Sequence, residues 1–320
     1  MKKIHEAVDG GVQLPTRLVM PPMATEASRD GKVGENTMAY YRKMAANKHF
    51  GLFIIEHNYV AIEGKAGKKQ MGLDDDEKIT GHKKLVDSIK GIRPDAAVFL
   101  QVNHAGIKTR REYTGADPIA PSVRPWDKAT KAMNEEDMER VKEAFVRAGL
   151  RAKAAGYDGV ELHAAHGYLL NQFLSPLTNF RTDDYGRDRI KYPLEVFCAM
   201  KDALGDFSLA VRIGGVETLE GGTTVREGTE YAAAFAKAGA SILDMTGGMT
   251  GYSREGHKEA GWFKDLTVAT KRRVHVPVLL TGGVRTLDEA QKLLDEDAAD
   301  LIGVGRAFLK DPNWEMHQMR

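Results

Sequence analysis

Cysteine is almost missing from this sequence: Cys198 is the only one in 320 residues. A single thiol excludes an intrachain disulfide framework and any cysteine-ligated cluster, and it fits a reducing cytoplasmic location. An excess of either charge is missing too. Lys plus Arg number 46 against 45 Asp plus Glu, a formal net charge of +1, so no global field recruits nucleic acid or an anionic membrane. No apolar run reaches membrane-spanning length, and the amino terminus carries no signal-peptide pattern. Low-complexity stretches and linkers are lacking. So are a G-x-G-x-x-G after an early strand and a Walker loop, which removes the usual supports for a Rossmann or nucleotide-triphosphate fold. What remains is the composition of a globular protein with ample core, 42% hydrophobic and 28% charged. The expected partner is a small molecule, with association into a homo-oligomer left open.

Short apolar runs alternate with helix-like segments throughout. Strand-length runs fall at residues 17–20, 52–55, 97–100, 159–163, 209–213, 241–245, 278–280 and 300–302. Helical stretches are expected near 35–47, 78–90, 135–155, 192–204, 225–238, 264–274 and after Thr286, with Asn134/Asp137 and Thr286/Glu289 as capping pairs. Residues 103–133 read mostly as loop, and the chain runs only to Arg320 after the last strand, leaving little room for a full final helix. Near-continuous apolar strands are those buried on both faces. Eight of them, each followed by a helix, are closed most simply by a parallel (β/α)₈ barrel. The expectation is an α/β protein with residues 1–320 as one TIM-barrel domain; an open doubly wound sheet is the alternative.

In such a barrel, chemistry belongs at the carboxyl ends of the strands. Those ends carry Met23 and Ala24, Glu56 and His57, Gln101 and His104, then His163, His166 and Tyr168. Further on come Arg212, Thr246 to Gly248, Gly282 and Gly283, and Gly305 with Arg306. The last two groups stand where many barrels hold phosphate. Glycine lets backbone N–H groups approach an anion, a short helix at 307–309 follows, and Arg306 adds charge. The bland reading is that the glycines only make tight turns. His163-Ala-Ala-His166 admits three readings. It is a metal pair lacking an obvious third ligand, although Glu161 alternates to the same strand face as His163. It is a structural pair. Or it is two donors gripping an oxygen that gains negative charge, with the Tyr168 phenol as acid.

The stretch GVELHAAHGYLLNQFLSP at 159–176, followed by Asn179, Arg181-Thr182 and Asp184-Tyr185-Gly186, resembles the signature of the old yellow enzyme family of flavin-dependent oxidoreductases. LVMPPM at 18–23, Gln101-x-x-His104-Ala-Gly106, Ala120-Pro-Ser122 and Gly303-x-Gly305-Arg306 match further family motifs in order. The resemblance implies an FMN-bearing barrel that moves hydride from NADH or NADPH to the activated C=C bond of an enone-like substrate. By position it implies that Pro22, Met23, Ala24 and His57 line the isoalloxazine and that Gln101 meets its pyrimidine edge. Arg212 would stand near N1 and the C2 oxygen, while Gly282, Gly283, Gly305 and Arg306 hold the phosphate. His163 and His166 would bind the substrate carbonyl oxygen, His163 also lying against the cofactor, and Tyr168 would protonate the α-carbon. No metal is implied. Amine oxidation, nitro-group reduction and flavin binding without ene reduction are the alternatives.

Four departures from the family pattern bear on flavin potential and substrate range. Ala24 stands where Thr or Cys is frequent, and Glu26 where one subgroup has tyrosine. Ile107-Lys108 follows His104-Ala-Gly106 where arginine is expected, and Tyr185-Gly-Arg-Asp-Arg189 replaces a Tyr-Gly-Gly-Ser segment.

Overall fold

The computed structural model of the chain describes residues 2–123 and 130–315. Eight parallel strands close into a barrel in chain order: β1 Leu18–Met20, β2 Phe50–Tyr59, β3 Ala97–Asn103, β4 Gly159–Ala164, β5 Ser208–Val216, β6 Leu243–Gly247, β7 Val278–Thr281 and β8 Leu301–Gly303. The intervening helices are α1 Glu35–Ala45, α2 Ile79–Lys90, α3 Glu135–Ala154, α4 Lys191–Leu204, α5 Val225–Lys237, α6 Lys264–Lys271 and α7 Leu287–Asp295, with the short α8 Arg306–Lys310 after β8. The expected (β/α)₈ barrel is therefore the fold.

Helix starts follow the capping chemistry read from the sequence. The Asn134 side chain accepts from the Asp137 N–H while Asp137 accepts from the Asn134 N–H, and the Thr286 hydroxyl accepts from the Glu289 N–H. The helix expected at 264–274 stops at Lys271. Around β6 the run begins two residues late, but Ser241 N–H still donates to the Leu209 carbonyl, so the pairing starts where the apolar pattern does. The described part of 103–133 is largely loop, as expected, with short elements set in it. The short helix Arg111–Thr114 lies there, and Ile119–Ala120 pairs in parallel with Lys131–Ala132. Residues 124–129 of that stretch, and 316–320, lie outside the described residues.

Side-chain alternation splits the core in two. Helix-facing side chains such as Leu18, Phe53, Leu100, Val160, Leu209 and Ile302 pack under the helices. Val19, Leu52, Ile54, Ala97, Phe99, Ala210, Leu279 and Leu301 form a separate inner cluster, with Leu14 from the hairpin Val8–Asp9/Gln13–Leu14 packed among them. Further along the same strands toward their carboxyl ends, this apolar filling gives way to Gln101, Glu161, Arg212 and Asp244, all buried. That change from hydrocarbon to charge marks the floor of the site.

Candidate active site

Cross-strand register assembles the floor. Gln101 is paired with Glu161 across β3 and β4, His163 with Arg212 across β4 and β5, and Arg212 with Asp244 across β5 and β6. The Gln101 amide donates to Glu161 Oε1 at 2.8 Å. Arg212 Nε lies 3.0 Å from Asp244 Oδ2, a charge contact off the line of a hydrogen bond, since neither atom has an aligned partner. Burial, then the Asp244 carboxylate, push the Glu161 carboxyl up to about 8. Asp244 is raised to about 6 by burial, against the pull of Arg212. The glutamate that alternation placed beside His163 thus belongs to this interior layer.

Above it, three imidazoles and a phenol converge. The rings of His163 and His166 are 5.2 Å apart at 86°, Tyr168 is 5.0 Å from His163, and His57 is 5.3 Å from Tyr168. Burial holds His163 and His166 well below the usual histidine value, and the positive charge of Arg212 and Lys108 works in the same direction. His57 is lowered to about 4 by burial and Arg212. All three are neutral near pH 7, so each is a hydrogen-bonding group without charge. For His163 the tautomer follows from the backbone: Nδ1 accepts from the Ala165 N–H at 3.3 Å, which leaves the proton on Nε2. For His57, the side-chain amides of Gln70 and Asn103 both reach Nδ1 at 3.1 Å, again leaving Nε2 as the donor. His166 Nε2 lies 3.2 Å from the Thr246 hydroxyl of β6. Burial, then Glu26, raise the Tyr168 phenol to about 12, so it is a protonated acid across the physiological range.

The loop that presents these groups is bent by a left-handed pair, His166 at φ 56° and Gly167 at φ 71°. Asn171 and Gln172 hold the bend. Asn171 Oδ1 accepts from the Gly167 N–H at 2.7 Å, and the Gln172 amide donates to the carbonyls of Gly167 and Ala105 while accepting from the Ile107 N–H. The rest of the signature segment is structural. Asn179 donates to the carbonyls of Phe173 and Tyr185, and Arg181 ties Asp183 to the carbonyls of Pro121 and Met133. Glu56 faces the β1 loop, accepting from the Thr25 N–H and hydroxyl at 2.8 and 2.6 Å. Buried Glu217, which sequence reasoning passed over, joins the loops after β4, β5 and β6 through Ser175, Thr223 and Met249.

The departures from the family pattern have physical outcomes. Lys108, one place beyond the missing arginine, donates to the His166 carbonyl at 2.5 Å and lies 5.5 Å from the Tyr168 ring centre. A cation therefore still reaches this loop. Glu26, at φ 49°, accepts from the Lys69 N–H. Ala24 is exposed and Pro22 half-buried in the β1 loop, where Met23 Sδ and the Pro21 ring close on Gly305. Tyr252, 63% exposed with its ring 6.2 Å from His166, adds an aromatic rim that no sequence pattern marked.

The β7 and β8 side is built from backbone. Gly282 has φ 155° and Gly283 φ 75°. The Gly282 carbonyl accepts from the Gly261 and Trp262 N–H groups, whereas the N–H groups of Gly282 and Gly283 donate to no described residue. A Cβ on Gly283 would stand 2.6 Å from both the Glu259 carbonyl and Trp262 Nε1, and that indole N–H is buried without a partner. The Arg306 guanidinium stacks 4.5 Å from the Trp262 ring centre. The structure therefore brings the expected glycines and arginine together around an unanticipated tryptophan.

The model of the NADH:flavin oxidoreductase / NADH oxidase family matches residues 8–318. An NADH oxidase from Thermoanaerobacter brockii is 36% identical over 95% of this chain, which covers 48% of that protein, and an NADPH dehydrogenase from Bacillus cytotoxicus is 34% identical over 94% of this chain and 87% of its own. The chain thus spans about half the length of the first of these relatives. In fold it is similar to a 2-naphthoyl-CoA reductase complex, with a TM-score of 0.91 over 99% of this chain and 52% of the other at 24% identity. No helix among the described residues is long and apolar enough to cross a membrane. With a closed parallel barrel and a family match over nearly its whole length, the chain belongs to the NADH:flavin oxidoreductase / NADH oxidase family, the FMN oxidoreductases of old yellow enzyme type.

Proposed function

We propose that this barrel is an NAD(P)H-dependent, FMN-bearing ene-reductase acting on α,β-unsaturated carbonyl compounds. The observation that carries the proposal is the constellation at the end of β4: two neutral imidazoles 5.2 Å apart with a protonated phenol 5.0 Å from one of them. Bound FMN would supply the redox chemistry, accepting hydride from NADH or NADPH and returning it to the β-carbon of the substrate. His163 offers Nε2–H, and His166 a second ring nitrogen, to the carbonyl oxygen. That oxygen gains charge as hydride arrives, so these donors bind the transition state more tightly than the ground state. Tyr168 supplies the proton to the α-carbon, a task suited to a phenol that stays protonated until needed.

The chain's residues fit FMN. Gln101 and Arg212 would meet the pyrimidine end, where a guanidinium favours negative charge on the ring. The Gln101 carbonyl oxygen has no partner among the described residues, leaving it for an N–H donor. The open N–H groups of Gly282 and Gly283, with Gly305 and Arg306, suit a phosphate. Pro22, Met23, Ala24 and His57 would line the ring system. The purified protein should be yellow, bleach anaerobically with NADH or NADPH, and recover its colour on addition of 2-cyclohexenone. A colourless protein that takes up no FMN, or a bleached one that no enone reoxidises, overturns the proposal.

A further inference from the structure

Two buried carboxyl groups lie directly behind the pair proposed to meet the flavin, and the mechanism above uses neither. Glu161 and Asp244 are both fully buried on the floor of the site. Glu161 accepts from Gln101 through Oε1, while its Oε2 is sealed without a partner, and both oxygens of Asp244 lack aligned donors although Arg212 is 3.0 Å away. One guanidinium thus faces two carboxyl groups in a buried layer. A fully ionised layer would carry a net negative charge that nothing nearby offsets, and burying an uncompensated charge is costly. Resting on the FMN reading, we propose that Glu161 and Asp244 are positioning residues that hold Gln101 and Arg212 from behind and, through the charge they carry, set the reduction potential of the flavin.

The chemistry follows from the contacts. By taking one N–H of Gln101, Glu161 fixes the flip of that amide and directs its carbonyl elsewhere. Asp244 already offsets the charge of Arg212, so the net field of the layer at the cofactor depends on whether Glu161 carries its proton. The charged groups facing Glu161 are Asp244 on β6 and Arg212 on β5, with His163 two residues along β4. Arg212 also acts on His57 from β2 and on His166, and both imidazoles are neutral. Loss of the Glu161 proton near pH 8 then adds a negative charge behind the cofactor and disfavours the electron-rich reduced form.

The test is the two-electron midpoint potential of the FMN-loaded protein against pH, measured by reductive titration with a reference dye, together with the affinity for oxidised FMN. The wild-type potential should fall more steeply above about pH 8, and Glu161→Gln should remove that extra fall while still accepting from Gln101. Asp244→Asn should raise the potential across the range and move the break to lower pH. A merely structural role weakens both redox forms of FMN alike and leaves the potential and its pH dependence in place. Superimposable wild-type and Glu161→Gln curves overturn the inference. If Glu161→Gln does not fold, a wild-type curve without the break, or an Asp244→Asn potential equal to wild type, does so instead. Protein that takes up no FMN overturns both proposals, whereas protein that binds FMN but reduces no enone overturns only the ene-reductase reading.

Discussion

The two sides of the barrel mouth solve different problems with different materials. On the β2–β4 side the working surface is made of side chains, the His57, His163 and His166 rings held by hydrogen-bonding neighbours and the Tyr168 ring packed against His57 and His163. On the β7–β8 side it is made of backbone, with glycine leaving N–H groups open beside Trp262. A side-chain surface fails by deletion and leaves the fold standing. A backbone surface fails by addition, as at Gly283, where a Cβ would meet atoms already in place.

That contrast makes predictions of decreasing size. On the ring side, Tyr168→Phe should slow reoxidation by an enone by about 10²–10⁴-fold, the usual worth of a positioned acid, and leave bleaching by NAD(P)H nearly unchanged; stopped-flow traces of the two half-reactions separate these. On the backbone side, Gly283→Ala forces a side chain into a left-handed site already crowded by the Glu259 carbonyl and Trp262. Strain of about 1–3 kcal/mol should appear as a lower Tm and weaker FMN retention on dialysis, with the histidine cluster unaffected. His163→Ala should weaken a phenolate-type ligand by about 1–2 kcal/mol, read from the ligand's absorbance change on binding, because one of two donors to its oxygen is lost. Equal affinity would break the donor-pair assignment.

The smallest effect is on stability against pH, and its sign differs between layers. His57 is held at about 4 in the folded protein against an ordinary 6.5, so unfolding takes up a proton and stability should decline as pH falls from 6.5 toward 4. Glu161 is raised from 4.5 to about 8, so the folded state holds the extra proton and stability should decline as pH rises through that interval. These two slopes oppose one another between pH 4.5 and 6.5, so urea midpoints should stay level there and fall from 6.5 to about 8; Glu161→Gln should abolish that fall and uncover the rise from His57 below 6.5.

Much of this was legible in the chain itself. The barrel followed from eight apolar runs because strands buried on both faces need no polar alternation, and the capping residues placed helix starts where they formed. His163, His166 and Tyr168 were readable because they lie within six residues of one another at the end of one strand. The places of Gly282, Gly283 and Arg306 at the ends of β7 and β8 were readable because each closely follows a short apolar run. Lys108, Glu217, Trp262 and Tyr252 were missed: a lone lysine, a loop glutamate and two aromatics carry no spacing signal.

What the sequence determined by itself was the order of elements and the chemistry offered by each strand end. Tertiary structure alone decided which offers meet. Gln101, Glu161, Arg212 and Asp244 come from four strands and become one layer only through interstrand register, which no local pattern encodes. The imidazole tautomers were likewise decided by contacts, through Gln70 and Asn103 for His57 and the Ala165 N–H for His163. Residue type supplies a group that can donate or accept, but burial and neighbours select which it does.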